Sequence, residues 1–318
     1  IDPIVRSILD TDFYKLLMAQ TVFRRHRNTR VTFGMINRTA QVPLARMIDV
    51  GALKEQLDHI RSLSLTRGES TWLRGNMFYG QRQMFSPEFI SWLEAFRFPA
   101  YHRETRGDQY VLTFEGPWIE STMWEIPALA VIMELHSRAV TKDLGKFELQ
   151  VLYARAQTRV WEKIQRLKKL DGLRIADFGT RRRHGFLWQD WCVQGMIEGL
   201  GPSFLGTSNC LIAMRREVEA VGTNAHELPM VYAAIAKDDE ELAEAPYQVL
   251  SDWQKDYDGN LRVILPDTYG TKGFLERAPD WIAQWTGIRI DSGDPIASGD
   301  LAIEWWKSRG QDPREKLA

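Results

Sequence analysis

The sequence predicts an α/β protein in two parts. An α+β region covers residues 1–125, and an irregular (β/α) barrel-like region covers residues 126–318, its barrel incomplete at the C-terminus of this chain. Three observations support this division. Helical and strand patterns mix without alternation in the first part. Past residue 125 the pattern changes to long helices, and then to short strands that each run into a polar, glycine-containing loop. A chain of 318 residues that is 44% hydrophobic, with 12 Trp and 14 Phe, has apolar surface for a large core and excludes a disordered or low-complexity polypeptide.

In order along the chain, residues 11–26 read as an amphipathic helix. Phe13, Leu16, Leu17, Ala19 and Phe23 recur at helical spacing after the cap candidates Asp10 and Thr11. Residues 31–37 read as a strand and 49–63 as a helix. Ser86-Pro87-Glu88 is a capped start, with proline in the first turn, to a helix through Phe96. Residues 109–115 form a further strand, stopped by Gly116-Pro117. Two long helices follow, at 127–140 and 147–170. The expected strands of the second part are 173–178, 203–205, 219–221, 261–265 and 287–290. Polar chemistry collects at their exits, the face that carries active sites in parallel α/β architectures. Gly-Thr pairs begin at residues 179, 206, 222 and 270, but their spacing is irregular, so no repeat is read.

Charge and cysteine content narrow the function. With 41 Lys+Arg against 42 Asp+Glu the net charge is −1, which excludes a generally basic nucleic-acid binder. Two cysteines, Cys192 and Cys210, are too few for a disulfide framework and lack zinc-type spacing, so a reducing cytoplasm is expected. The apolar run over 126–140 is cut by Pro127, Glu134, His136 and Arg138, short of the roughly 20 residues a membrane span requires. No secretory leader pattern is present, and no membrane partner is expected. The chain starts at Ile1 and closes on Arg314-Glu315-Lys316, which suggests trimming at both ends.

Five strand exits carry candidate chemistry. Gly179-Thr180-Arg181-Arg182-Arg183 brings amides, a hydroxyl and guanidinium forks to one spot, suited to phosphate or carboxylate; a solvated basic turn is the alternative. Gly206-Thr207-Ser208-Asn209 opens a helix, as a cap or a small anion nest. His226 follows Gly222-Thr223-Asn224-Ala225 and precedes Glu227, a carboxylate able to orient it. Arg289-Ile290-Asp291-Ser292-Gly293-Asp294 sets a cation and a carboxylate on one strand face, with a second carboxylate in the turn. These carboxylates suit Mg²⁺ or ribose hydroxyls, and a turn with Asx-type hydrogen bonds is the alternative. Asp267 has the same two readings. Neither the Walker-type phosphate loop nor the dinucleotide glycine fingerprint occurs.

Taken with Leu9-Asp10-Thr11-Asp12-Phe13-Tyr14-Lys15, these motifs closely resemble nicotinate phosphoribosyltransferase, and in the same order along the chain. The resemblance implies a type II phosphoribosyltransferase fold. Family members continue past this end with a Phe-Ser-Asp strand and a glycine-rich phosphate loop, neither present here, hence the incomplete barrel. It also implies a reaction in which nicotinate and phosphoribosyl pyrophosphate give nicotinate mononucleotide and pyrophosphate in NAD salvage. ATP hydrolysis is coupled to turnover, and Mg²⁺ accompanies the ATP and the phosphoribosyl pyrophosphate.

By the same resemblance Phe178 stacks on the pyridine, and Tyr14 from the partner subunit of a homodimer covers the other face. Arg181 and Ser208, with Thr207 beside it, hold the carboxylate. Arg289 and Asp291 position the base and the phosphoribosyl group, Asp267 takes ribose hydroxyls, and Asp294 lies near the phosphates or their Mg²⁺. His226 is the residue phosphorylated by ATP, oriented by Glu227. Among relatives, the nicotinamide enzymes carry aspartate where Ser208 stands, which argues for an acid substrate, and quinolinate phosphoribosyltransferase binds two carboxylates. A non-catalytic phosphosugar-binding barrel would be expected to lack His226, Asp267 or Asp291, and all three are present.

Overall fold

The computed structural model describes residues 1–316. Two units are separately compact, Ile1–Val221 and Gly222–Ala318. The expected boundary at residue 125 falls inside the first unit, at the start of a helix.

The first unit opens with helix α1, Phe13–Arg25. It was expected to be amphipathic. Instead it is buried all round from Phe13 to Phe23, and its polar members are satisfied internally: Gln20 donates to the Met84 carbonyl at 3.0 Å and accepts from the Ser86 amide at 2.7 Å. Strand β1, Arg30–Met35, precedes helices α2, Val50–Ser62, α3, Arg67–Gly75, and α4, Pro87–Ala95. Their starts follow capping rules. Asp49 accepts from the Ala52 amide, Thr66 and Glu69 form a reciprocal capping box, and Ser86 accepts from the Phe89 amide behind a first-turn proline. Strands β2, His102–Arg106, and β3, Gln109–Pro117, complete an antiparallel sheet of order β1-β3-β2. Alternate residues of β3 are buried from Tyr110 to Phe114, and Phe114 stacks on Trp124 with ring centroids 4.8 Å apart.

Helices α5, Glu125–Thr141, and α6, Lys146–Leu167, match the two expected long helices closely. Only Ile164 of α6 is buried, and the helix exposes Phe147, Tyr153 and Trp161. Strand β4, Ile175–Asp177, leads to helix α7, Phe186–Leu200, and pairs in parallel with β5, Phe204–Thr207, ahead of helix α8, Cys210–Arg216. The expected strand at 219–221 is absent. It is reduced to one parallel bridge, Thr207 to Ala220, held by Thr207 N to Glu219 O at 3.1 Å and Val221 N to Thr207 O at 2.9 Å. Gly206 explains the close approach. Its φ is +140°, and a Cβ there would lie 2.1 Å from the Glu219 carbonyl oxygen, so no side chain fits.

The extended segment before α1 is tied to the β5–α8 turn by backbone bonds: Phe13 N to Ser208 O at 2.7 Å, Cys210 N to Thr11 O at 2.9 Å and Leu211 N to Leu9 O at 2.8 Å. The first helix is thereby anchored to strand exits nearly two hundred residues later.

In the second unit, helices α9, Glu227–Ile235, and α10, Asp239–Asp256, pack together, and the Tyr232 hydroxyl donates to Asp252 at 3.1 Å. Strands β6, Val263–Ile264, and β7, Gly287–Ile288, pair in parallel, shorter than the expected 261–265 and 287–290. Helix α11, Thr271–Arg277, lies between them in sequence, and α12, Pro295–Ser308, follows. The sheets are small, and no closed barrel forms among the described residues.

Candidate active site

In the first unit, the exit of β4 divides the arginine triplet three ways. Arg183 is buried and binds Asp10 through two hydrogen bonds of 2.6 and 2.9 Å, with a third to the Ile4 carbonyl at 3.0 Å. Arg182 is exposed. Arg181 is partly exposed and donates to Glu125 at 3.1 Å. Phe178 ahead of it is 48% exposed, so this exit offers solvent an aromatic face and a cation. Asp177 fixes the loop, accepting from the Gly179 amide at 3.0 Å, Gln189 at 2.8 Å and the Thr207 hydroxyl at 2.7 Å.

Thr207 and Ser208 have no exposed surface. Thr207 is committed to Asp177, and the Ser208 hydroxyl donates to Asp12 at 2.7 Å. Both therefore back the loop rather than line its surface. Asn209 caps α8 by accepting from the Ile212 amide and donates to Asp10 at 2.8 Å, which is the cap reading of this turn. Burial pushes the Asp12 carboxyl up from its ordinary value, against the lowering pull of Ser208, Thr180 and Arg181.

Tyr14 is buried, and desolvation raises its phenol well above the usual range, with Glu125 and Asp12 adding to the effect. Lys15, fully buried, ion-pairs with Glu125 and donates to the Thr122 hydroxyl at 3.2 Å. Burial would raise Glu125, but Lys15 and Arg181 outweigh it and hold the carboxylate below its ordinary value. Lys15, Asp12 and Glu125 were given no role from sequence. The available signals were a lysine inside an apolar helical stretch and a carboxylate at the head of the apolar run 126–135.

In the second unit, His226, the residue preceding α9, is partly exposed. Its Nε2 lies 2.7 Å from Asp267 Oδ1 and its Nδ1 3.8 Å from Asp291 Oδ2. A carboxylate only accepts, so Nε2–H is the donor. Ser292 donates to the other Asp267 oxygen at 2.6 Å. Burial would raise Asp267, yet the Ser292 and His226 bonds hold it below its ordinary value. Asp267 thus grips the imidazole, a contact that sequence did not assign; Glu227, expected from sequence to orient the ring, is the first residue of α9. Arg289 donates to the Asn224 carbonyl at 3.0 Å and lies 3.3 Å from Asp291. Asp294 caps α12, accepting from the Ile296 and Ala297 amides at 2.9 Å. One ligand atom each from His226, Asp267 and Asp291 falls within 4.8 Å of the others. The two carboxylates suit a hard dication, whereas the imidazole nitrogen suits Mg²⁺ poorly.

Two family models match this chain in succession: the nicotinate phosphoribosyltransferase N-terminal domain over residues 9–133 and the nicotinate phosphoribosyltransferase family over residues 173–318. The chain belongs to the nicotinate phosphoribosyltransferase family. Solved structures agree. The nicotinate phosphoribosyltransferase of Porphyromonas gingivalis is 27% identical with a TM-score of 0.83, over 98% of this chain and 77% of that one. A putative nicotinate phosphoribosyltransferase of Saccharomyces cerevisiae is 26% identical with a TM-score of 0.82, over 97% and 75%. The Vibrio cholerae enzyme, 24% identical, shares the fold with a TM-score of 0.82 over 99% and 73%. Membership in this family makes the protein a phosphoribosyltransferase of NAD salvage that acts on nicotinate and phosphoribosyl pyrophosphate. Among the described residues no helix is long and apolar enough to cross a membrane.

Proposed function

We propose that the protein joins nicotinate to phosphoribosyl pyrophosphate in a reaction coupled to ATP hydrolysis through a phosphohistidine at His226. The base-binding half rests on the β4 exit, which presents Phe178 and Arg181 to solvent while Arg183 is held inside. Phe178 stacks on the pyridine ring and Arg181 takes its carboxylate. Ser208, buried behind them with Thr207, favours an acid because an aspartate in its place would add a further carboxylate beside Asp12. In the second unit, Asp267 fixes Nε2 of His226 and leaves Nδ1 as the nitrogen with a lone pair for the phosphoryl group. Arg289, Asp291 and Asp294 handle the phosphoribosyl and phosphate groups, with Glu227 beside the histidine in sequence.

Asp267 and Asp291 are the residues whose oxygen donors fit Mg²⁺, which when bound would neutralise charge on the phosphates. The chain's own contribution is alignment. A stacked ring and an anchored carboxylate direct the pyridine nitrogen at the ribose carbon as pyrophosphate leaves. A homodimer is part of the proposal, with Tyr14 of the partner covering the ring face that Phe178 leaves open. So is a reducing, cytoplasmic setting, in keeping with two free thiols, Cys192 and Cys210.

The test is incorporation of isotopic nicotinate into its mononucleotide with phosphoribosyl pyrophosphate, with and without ATP. A rate that ATP does not change would remove the coupling, and no product at all would remove the reaction.

A further inference from the structure

Helix α1 carries a cation with no exposed surface one residue after Tyr14. The Lys15 ammonium lies 5.7 Å from the centroid of the Tyr14 ring, donates to Thr122 at 3.2 Å and ion-pairs with Glu125. The other Glu125 oxygen accepts from Arg181 at 3.1 Å. One carboxylate therefore bridges two cations, one sealed inside and one partly open to solvent.

The charge balance of this trio decides what Arg181 can do. Arg181 paired with Glu125 alone would be a neutral couple, with little left to attract an anionic pyridine. Glu125 cannot simply be neutral, because its two cations hold it ionised. With Lys15 present, two positive charges face the Glu125 carboxylate, and Asp12, the other acid within electrostatic reach of Arg181, is pushed up by burial toward its neutral form, so the surplus emerges at the exposed member. Desolvating a buried ion pair can cost as much as its attraction returns, so a lysine here calls for a reason beyond packing.

We propose that Lys15 sets the acid selectivity of the base site by neutralising Glu125, which leaves the charge of Arg181 to the substrate carboxylate. This rests on the reading of Arg181 as the carboxylate ligand. Lys15 is a positioning residue: it acts through Glu125 and touches no substrate.

The test compares dissociation constants for nicotinate and for its uncharged isostere nicotinamide, measured by equilibrium titration, with thermal unfolding as a check on folding. Arg181→Gln examines the underlying reading. It should weaken nicotinate by about tenfold or more and leave nicotinamide nearly unchanged. An equal effect on both ligands, or none, overturns that reading whatever Lys15 does.

If Arg181→Gln behaves as expected, Lys15→Met should reproduce the selective loss, and Lys15→Met combined with Glu125→Gln should restore nicotinate binding to within about threefold of wild type, because one uncompensated positive charge is regained. Should Lys15→Met fail to fold, the double variant carries the test alone, since it has no buried unpaired charge. Weak nicotinate binding in a folded double variant, or equal loss of both ligands in Lys15→Met, overturns the proposal while the role of Arg181 stands.

Discussion

Arg183 and Asp10, 173 residues apart, are locked together by two charge-assisted hydrogen bonds in a site with essentially no solvent contact. This pair is structural. Asp10→Ala would leave the guanidinium buried and uncompensated, so unfolding in urea should show a loss of about 3–5 kcal/mol. Arg182→Ala, at an exposed position, should stay within about 0.5 kcal/mol of wild type. A loss below about 1 kcal/mol for Asp10→Ala would mean that the pair contributes little.

Glu125 has a direction of pH dependence. Its folded value lies below the unfolded 4.5, so its stabilisation is fully present above that pH and is lost as pH falls through the folded value. Wild type should therefore lose stability on acidification more steeply than Glu125→Gln, and the two curves should converge at the acid end. Parallel melting curves across that range would show that Glu125 is not held ionised by Lys15 and Arg181.

The Asp267 grip on His226 predicts graded effects on labelling by γ-labelled ATP. Wild type should give an acid-labile, alkali-stable label, and His226→Ala should abolish it. Asp267→Asn should slow its formation by about tenfold to a hundredfold, because the imidazole loses its orienting carboxylate. Label that persists in His226→Ala would place the phosphoryl acceptor elsewhere.

Ser208→Asp would put a second carboxylate within hydrogen-bond distance of buried Asp12. The two cannot both ionise there, so the melting temperature should fall and nicotinate turnover should collapse by at least about a hundredfold. Nicotinamide turnover should suffer less. Unchanged nicotinate turnover in the folded variant would reduce Ser208 to a packing residue.

The sequence was most legible where local chemistry decides structure. Ser86-Pro87 and Asp49 mark helix starts that the fold keeps, and the period of 109–115 gave a strand because alternate residues of β3 are buried. Strand β2, His102-Arg103-Glu104-Thr105-Arg106, has no apolar alternation to reveal it. The strand expected at 219–221 shrinks to a single bridge of Ala220 to Thr207, with backbone bonds of ordinary length on either side of it. At the site, the arginine triplet could be seen only as a block of charge. Which arginine faces inward depends on Asp10 and Glu125, contributed by distant parts of the chain. Likewise the Asp267 bond to His226 could not be read from sequence, because it reaches the ring from across 41 positions.

The backbone bonds that tie Leu9, Thr11 and Phe13 to residues 208–211 also set a schedule. A ribosome must deliver roughly two hundred residues before these bonds can close, which at about 5–20 residues per second takes some 10–40 s. Until then α1 has only the cover supplied by earlier residues, with Phe78 and Phe85 against Phe13, Phe89 against Phe23, and Met84 and Ser86 on Gln20. A nascent chain of this protein therefore passes through a long interval in which its first helix is finished and the far part of its docking ground, residues 208–211, is still unmade, and that interval is where a holding chaperone would act.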